Sequence, residues 1–205
     1  MSASSNSGQN TVWSMVRLGL ILAVYAASSC AVLAIVNNFT SPIIRANQER
    51  KANEAMRAVF ETAETFKETE SPLPASSMPG VTIDSITLAL SGGDVVGAVA
   101  QVSGPTYDRS TIMVGMDLSR TITGMRYLEN TDTPGFGQKG SDPTFTLPSG
   151  QTFYGQFTGK NADGPFVVRQ NFDAISGATI TSTGIGNMVT AAAEAMGAVL
   201  EEYRK

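Results

Sequence analysis

The sequence predicts an α+β fold in which an apolar N-terminal helix is followed by an antiparallel sheet that a C-terminal helix closes. Three observations predict it. No charged residue interrupts Leu18 to Ile44, alternating apolar residues around glycine turns begin at Val81, and apolar residues recur at three- and four-residue steps from Ile185 to Tyr203. A run of strands followed by one helix is the element order of an α+β domain.

The first element is read as a transmembrane helix over residues 12–38. Leu18 to Val36 is dense in Leu, Ile, Val and Ala over roughly the ~20 residues that a spanning helix requires. Trp13 and Arg17 stand at its start and Asn37 and Asn38 at its end, as suits the two membrane surfaces. A cleaved signal peptide would have an apolar core of only ~7 to 15 residues, so a retained anchor is expected. Cys30 lies within the run, with Ala31 to Val36 continuing past it, and is expected to pack as a small apolar residue. Residues 1–11 before the span are polar and rich in Ser, Asn and Gly, the composition of a disordered tail.

After Pro42, Ile43 to Lys67 has helical composition, and Ser71 to Gly80 holds Pro72, Pro74 and Pro79. Residues 39–80 are accordingly read as a linker helix and a Pro-rich connector, and 81–205 as the folded domain. Its strands are expected around Val81 to Leu90 and Val95 to Val102, on either side of Gly92-Gly93, and at Thr111 to Met116, Thr121 to Leu128, Gln151 to Phe157 and Phe166 to Arg169. The terminal stripe of Ile185, Met188, Val189, Ala192, Met196, Val199, Leu200 and Tyr203 is a core face.

Composition narrows the chemistry. The 205 residues carry a net charge of −4 with no Lys/Arg-rich block, which argues against nucleic acid, whose phosphates demand a basic face. There is no histidine to act as a base or to ligate zinc or haem. The single cysteine cannot hold an iron–sulfur cluster. No nucleophile, base or metal set stands out, so any redox chemistry falls to an organic cofactor.

Two short loops remain. Asp173-Ala174-Ile175-Ser176-Gly177-Ala178-Thr179-Ile180-Thr181-Ser182 leads into the terminal helix, whose N-terminal amides and dipole favour a phosphate. Thr179 is placed just ahead of the helix, with Thr181 or Ser182 as the N-cap. An ordinary capped helix after a glycine turn would have the same small residues. Upstream, Thr133-Pro134-Gly135-Phe136-Gly137 is a Pro-Gly turn whose glycines let backbone approach a flat ligand and whose Phe136 offers an aromatic face. A plain type II turn between strands would read alike.

Together with the single N-terminal span, these motifs resemble the FMN-binding domain family, and within it the G subunits of Rnf electron-transport complexes and the related C subunits of Na+-translocating NADH:quinone reductases. The resemblance covers most of the chain. It implies an FMN bound covalently through its phosphate to the last Thr of Ser-Gly-Ala-Thr, here Thr179. It also implies a flavin transferase that uses FAD as donor and reads Asp173, Ser176, Gly177, Ala178 and Thr179, and a turn at Thr133 to Gly137 lying against the flavin. The acidic residue before Thr-Pro-Gly, usually Glu in the family, is Asp132 here.

The resemblance further implies an electron relay that works as a subunit of a membrane-bound, ion-translocating ferredoxin:NAD oxidoreductase among other membrane subunits. It would sit in a bacterial or archaeal cytoplasmic membrane as a single-pass protein, with the flavin domain outside. The charge count opposes that side, because Arg45, Arg50 and Lys51 follow the span and only Arg17 precedes it. The quinone-reductase subunits, typically longer, and a non-catalytic FMN-binding module for redox sensing or assembly are the competing readings.

Overall fold

The computed structural model describes residues 6–69 and 72–203. They divide into two compact units, one up to Glu49 and one from Arg50 onward.

The first unit is helix throughout its described length, part of α1 (Asn6–Val59). This helix is long and apolar enough to cross a membrane. Val12, Trp13, Val16, Leu18, Tyr25 and Leu33 are all exposed, on every side of the helix, and so wide an apolar surface suits lipid rather than water. Cys30 is exposed among them. The expected tail differs in part: α1 already begins at Asn6, and residues 1–5 lie outside the described residues. The helix also runs unbroken through Pro42, so the span and the linker helix are one element.

The second unit is built on a five-stranded antiparallel sheet whose strands follow in chain order. They are β1 (Thr65–Glu68), β2 (Thr82–Ser91), β3 (Asp94–Pro105), β4 (Arg109–Asp117) and β5 (Ile122–Asn130). The β2–β3 hairpin closes at Ser91 opposite Asp94, and Gly92 and Gly93 both take positive φ, as a two-residue turn of this type requires. The expected helix to Lys67 is corrected here. It stops at Val59, and Thr65 to Glu68 pair with Thr87 to Leu90, because Phe66 finds apolar cover beside the sheet. The folded unit thus begins well before Val81.

Alternation gives the sheet two apolar faces. Ala98, Ala100, Val102, Ile112, Val114 and Met116 face helix α2 (Thr179–Leu200), which buries Ile185, Met188, Val189, Ala192 and Met196 against them. The opposite face carries Ala89, Val99 and Met113 beneath Ala55, Val59 and Phe60 from the end of α1. That end lies flat on the strands because three of the strand residues below it are glycines. A Cβ on Gly97 would meet the Phe60 ring at 2.5 Å, one on Gly115 the Val59 carbonyl oxygen at 2.8 Å, and one on Gly124 the Val59 Cα at 2.9 Å. Thr123 Oγ1 donates to that same carbonyl at 2.5 Å, satisfying an acceptor that the helix end leaves open.

Two expected strands are not strands. Gln151 to Phe157 is a loop ending in a 3₁₀ turn (Gly155–Phe157), and Phe166 to Arg169 is a loop in which Arg169 takes a φ of +65°. Instead Phe153, Phe157, Phe166 and Phe172 bury into one cluster on the α2 side, with neighbouring ring centroids 5.0 to 6.3 Å apart. The connector does behave as its prolines suggest, since residues 72–80 are irregular; there Ser77 Oγ hydrogen-bonds Glu194 of α2.

The close approach of α1 to the strands gives a direct test. Gly115→Ala is expected to cost about 1 to 3 kcal/mol by overpacking. Gly164→Ala, where an added Cβ meets nothing within 4 Å, should stay within about 0.5 kcal/mol of the parent. Guanidinium unfolding of the full chain in detergent, followed by circular dichroism, measures both.

Candidate functional site

The loop before α2 folds as a tight turn. Ala178 N–H donates to the Ile175 carbonyl at 3.0 Å, and Gly177 in the third position takes a φ of +78°, as in a type II turn. Thr133-Pro134-Gly135-Phe136 repeats this geometry: Phe136 N–H donates to the Thr133 carbonyl at 3.2 Å and Gly135 has a φ of +79°. The two turns meet, since a Cβ on Gly177 would stand 3.4 Å from the Phe136 ring.

The helix starts three to four residues earlier than an N-cap at Thr181 or Ser182 implies. Thr179 is already the first residue of α2, and Ala178 flanks it with φ −133° and ψ 49°, without a side-chain cap. Thr181 and Ser182 therefore lie inside the first turn, and neither is the N-cap. Ser182 Oγ instead donates to the Ala178 carbonyl and accepts the Ile175 N–H, each at 3.0 Å, which ties the turn to the helix. The first bond along the helix is Ser182 N–H to Ala178, so among the described residues the amides of Thr179, Ile180 and Thr181 have no protein acceptor.

A cleft of about 490 Å³ opens at this helix start. The expected residues Thr133, Phe136, Gly137, Gly177, Ala178, Thr179 and Thr181 line it, joined by Tyr107 and Ile180. Phe136, Tyr107 and Ile180 are all large, apolar and exposed, and among the described residues no Lys or Arg lines the cleft. Hydroxyl groups of the loop differ sharply. Thr181 Oγ1 donates to Asp132, Ser182 is fully buried, and Thr183 Oγ1 donates to the Thr179 carbonyl at 2.9 Å. The Thr179 hydroxyl is exposed in the cleft and, among the described residues, makes no hydrogen bond.

Asp132 lies under the cleft rather than in it. Only 1% exposed, it accepts Thr106 Oγ1–H at 2.6 Å and Asp108 N–H at 2.8 Å on Oδ1, and Thr181 Oγ1–H at 2.6 Å on Oδ2. One carboxylate thereby joins the β3–β4 turn, the loop after β5 and the first turn of α2. Gly137 completes the floor. A Cβ there would collide with Asp132 Oδ2 and would stand 2.5 Å from Thr181 Oγ1.

The structure does not bring every expected residue to the cleft. Asp173 is exposed on a separate polar pocket with Lys160 and Arg169, its backbone N–H and C=O both held by the Gln156 side chain. Ser176, Pro134 and Gly135 are exposed but do not line the cleft. Tyr107 and Thr106 escaped sequence reasoning; the signal was an aromatic residue in a short turn after Pro105, between two strong strands.

Residues 106–194 match the family model of the FMN-binding domain, a stretch that holds every residue lining the cleft. Residues 5–59 match the RnfG N-terminal region, nearly the extent of α1. The chain is thus similar to the FMN-binding domain over one stretch and to the RnfG N-terminal region over another. Similarity to G subunits of ion-translocating oxidoreductase complexes runs along most of its length. It is 27% identical to the G subunit of the Na(+)-translocating ferredoxin:NAD(+) oxidoreductase complex of Acetobacterium woodii, over 84% of this chain and 87% of that one. It is 28% identical to the G subunit of the ion-translocating oxidoreductase complex of Pectobacterium atrosepticum, over 85% and 87%. With the corresponding protein of Yersinia pestis it shares 27% identity, over 87% and 88%.

The two glycines of the upstream turn have different jobs, and substitution separates them. Gly135→Ala meets no neighbour and should cost about 1 kcal/mol in backbone strain. Gly137→Ala displaces a buried, hydrogen-bonded carboxylate and should cost about 3 kcal/mol. Denaturant unfolding of both variants gives the order; the reverse order would mean that Asp132 and Thr181 do not close over Gly137.

Proposed function

We propose that the chain is the FMN-carrying electron-transfer subunit of an Rnf-type ion-translocating oxidoreductase complex, its flavin esterified through the phosphate to Thr179. The observation that carries this reading is the state of the Thr179 hydroxyl: exposed in the cleft, unbonded, and at a helix start whose first amides lack acceptors. Thr133, across the cleft, has beside it only the short 3₁₀ turn Gly137–Ser141, one of whose amides already donates to the Thr133 carbonyl.

The residues present fit the cofactor. Amides of Thr179, Ile180 and Thr181, with the positive end of the α2 dipole, suit a phosphate group. Phe136, Tyr107 and Ile180 offer apolar contact to a planar ring, and the cleft volume lies within the ~300 to 1,000 Å³ usual for ligand sites. When bound, FMN supplies the gain and loss of electrons that the side chains lack. An ester keeps it in place through repeated transfers.

Attachment needs an outside catalyst. Thr179 Oγ1 would form a bond to the FMN phosphorus of FAD as the pyrophosphate bond breaks, with AMP leaving. The hydroxyl proton has no base beside it in the loop, since the Asp132 carboxylate is buried and engaged with Thr181. A flavin transferase must accept it. The exposed Asp173 and Ser176 form the outer face that such an enzyme would read.

α1 anchors the subunit in the membrane beside the other subunits of the complex. The relatives, G subunits of ferredoxin:NAD(+) or ion-translocating oxidoreductases, support the Rnf reading over the quinone-reductase one. Our reading puts the flavin domain on the extracytoplasmic side, as the resemblance implies.

With the flavin transferase co-expressed, Thr179→Ala is expected to abolish the fluorescent flavin band of the denatured protein in a gel. Thr133→Ala and Thr183→Ala should keep it. A band persisting in Thr179→Ala would refute the attachment site. For sidedness, alkaline phosphatase fused after Lys205 should be active and a green fluorescent protein fusion dark; the opposite pattern puts the domain in the cytoplasm.

A further inference from the structure

The candidate cleft is built over a buried negative charge. One backbone amide, from Asp108, and two hydroxyls, from Thr106 and Thr181, face the Asp132 carboxylate and can all donate to it. Among the described residues it has no cationic partner. Arg109, nearby across the strand pair, is exposed and meets this loop through its carbonyl, which accepts the Thr131 N–H and hydroxyl. Asp108 gives Asp132 its amide, while the residue itself is exposed to solvent. The Tyr127 hydroxyl is buried without a partner; burial first, and then the charge of Asp132, push its ionisation far above the usual tyrosine range.

Little separates this charge from the cleft. Thr181 and Gly137 line the cleft and both touch the carboxylate, Thr181 through a 2.6 Å hydrogen bond and Gly137 by leaving the space that Oδ2 fills. Among the described residues no Lys or Arg is on the lining, so none of them screens it from that side. In a poorly solvated region such a charge acts strongly over a few ångströms.

We propose that Asp132 sets the redox potential of the site: its buried carboxylate, one residue layer beneath the Gly137–Thr181 floor, lowers the midpoint potential of a flavin held in the cleft. Reduction adds electrons to the ring, and a fixed negative charge beside it disfavours any negative charge the ring gains. The inference rests on the reading that FMN occupies this cleft. It gives the Asp of the Asp-Thr-Pro-Gly sequence an electrostatic part in electron transfer without contact to the cofactor.

The test compares Asp132→Asn and Asp132→Glu with the parent, each as the full chain in detergent after co-expression with the flavin transferase. Asn keeps an acceptor for Thr106 and Asp108, and its amide can donate to Thr181 Oγ1, but it removes the charge. Glu keeps the charge and changes the shape. Covalent loading is read first from gel fluorescence, and a parent without covalent flavin would sink the functional reading itself. In loaded protein, spectroelectrochemical titration should show the reduced-to-oxidised ratio of Asp132→Asn raised at least tenfold at a fixed solution potential, about 30 mV for a two-electron couple. Asp132→Glu should stay within about threefold of the parent, well under that tenfold step. An unmoved ratio in Asp132→Asn, or an equal shift in both variants, overturns the proposal. If Asp132→Asn does not load, the carboxyl carbon resonance of Asp132 in unloaded Thr179→Ala protein at pH 7 decides. A carboxylate shift supports the proposal and a protonated carboxyl overturns it.

Discussion

The hydrogen bonds converging on Asp132 are the constraint on which the candidate site depends. Its carboxylate takes donors from the β3–β4 turn and from the first turn of α2, while its own backbone belongs to the loop after β5. These segments are far apart in the sequence, and each is too short to hold a shape alone. A buried carboxylate with several donors is costly to leave unsatisfied, so the segments are held in one arrangement. The cleft is the space left between them.

The remaining architecture serves that arrangement. α2 can bring Thr181 to Asp132 because Gly184 lets it lie close to the β3–β4 turn, where an added Cβ would stand 3.0 Å from the Thr106 Cα. Its long apolar face, buried on β2, β3 and β4, then fixes where its first turn lies. On the other side, Gly97, Gly115 and Gly124 seat the end of α1 against the strands. The sheet is thus covered on both faces, with the cleft at the rim where turns and helix start meet.

Much of this was legible in the sequence, for physical reasons. The apolar run of α1, the alternation in β2 to β5 and the helical stripe of α2 are periodic signals, and each predicted the type of its element, though not the ends of the two helices. The loop motifs were legible as turns because glycine in the third position leaves few alternatives, and Gly135 and Gly177 both take positive φ. What could not be read was set by distant partners. Thr65 to Glu68 looks helical until β2 is beside it, and Phe153 and Phe157 look like strand residues until Phe166 and Phe172 surround them. The position of Asp132 beneath the cleft, and the presence of Tyr107 at its rim, follow from three-dimensional closure that no local pattern carries.

If Thr179 is the one attachment point for the cofactor, peptide mapping tests it most directly. Trypsin should release the segment that starts at Gln170, after Arg169, with Thr179 inside it. Mass spectrometry of chain matured with the flavin transferase should find one FMN phosphoester on this peptide, and fragment ions should place it on Thr179. An adduct on Ser176, Thr181 or any residue outside this peptide, or flavin that leaves the chain on denaturation, would contradict that assignment.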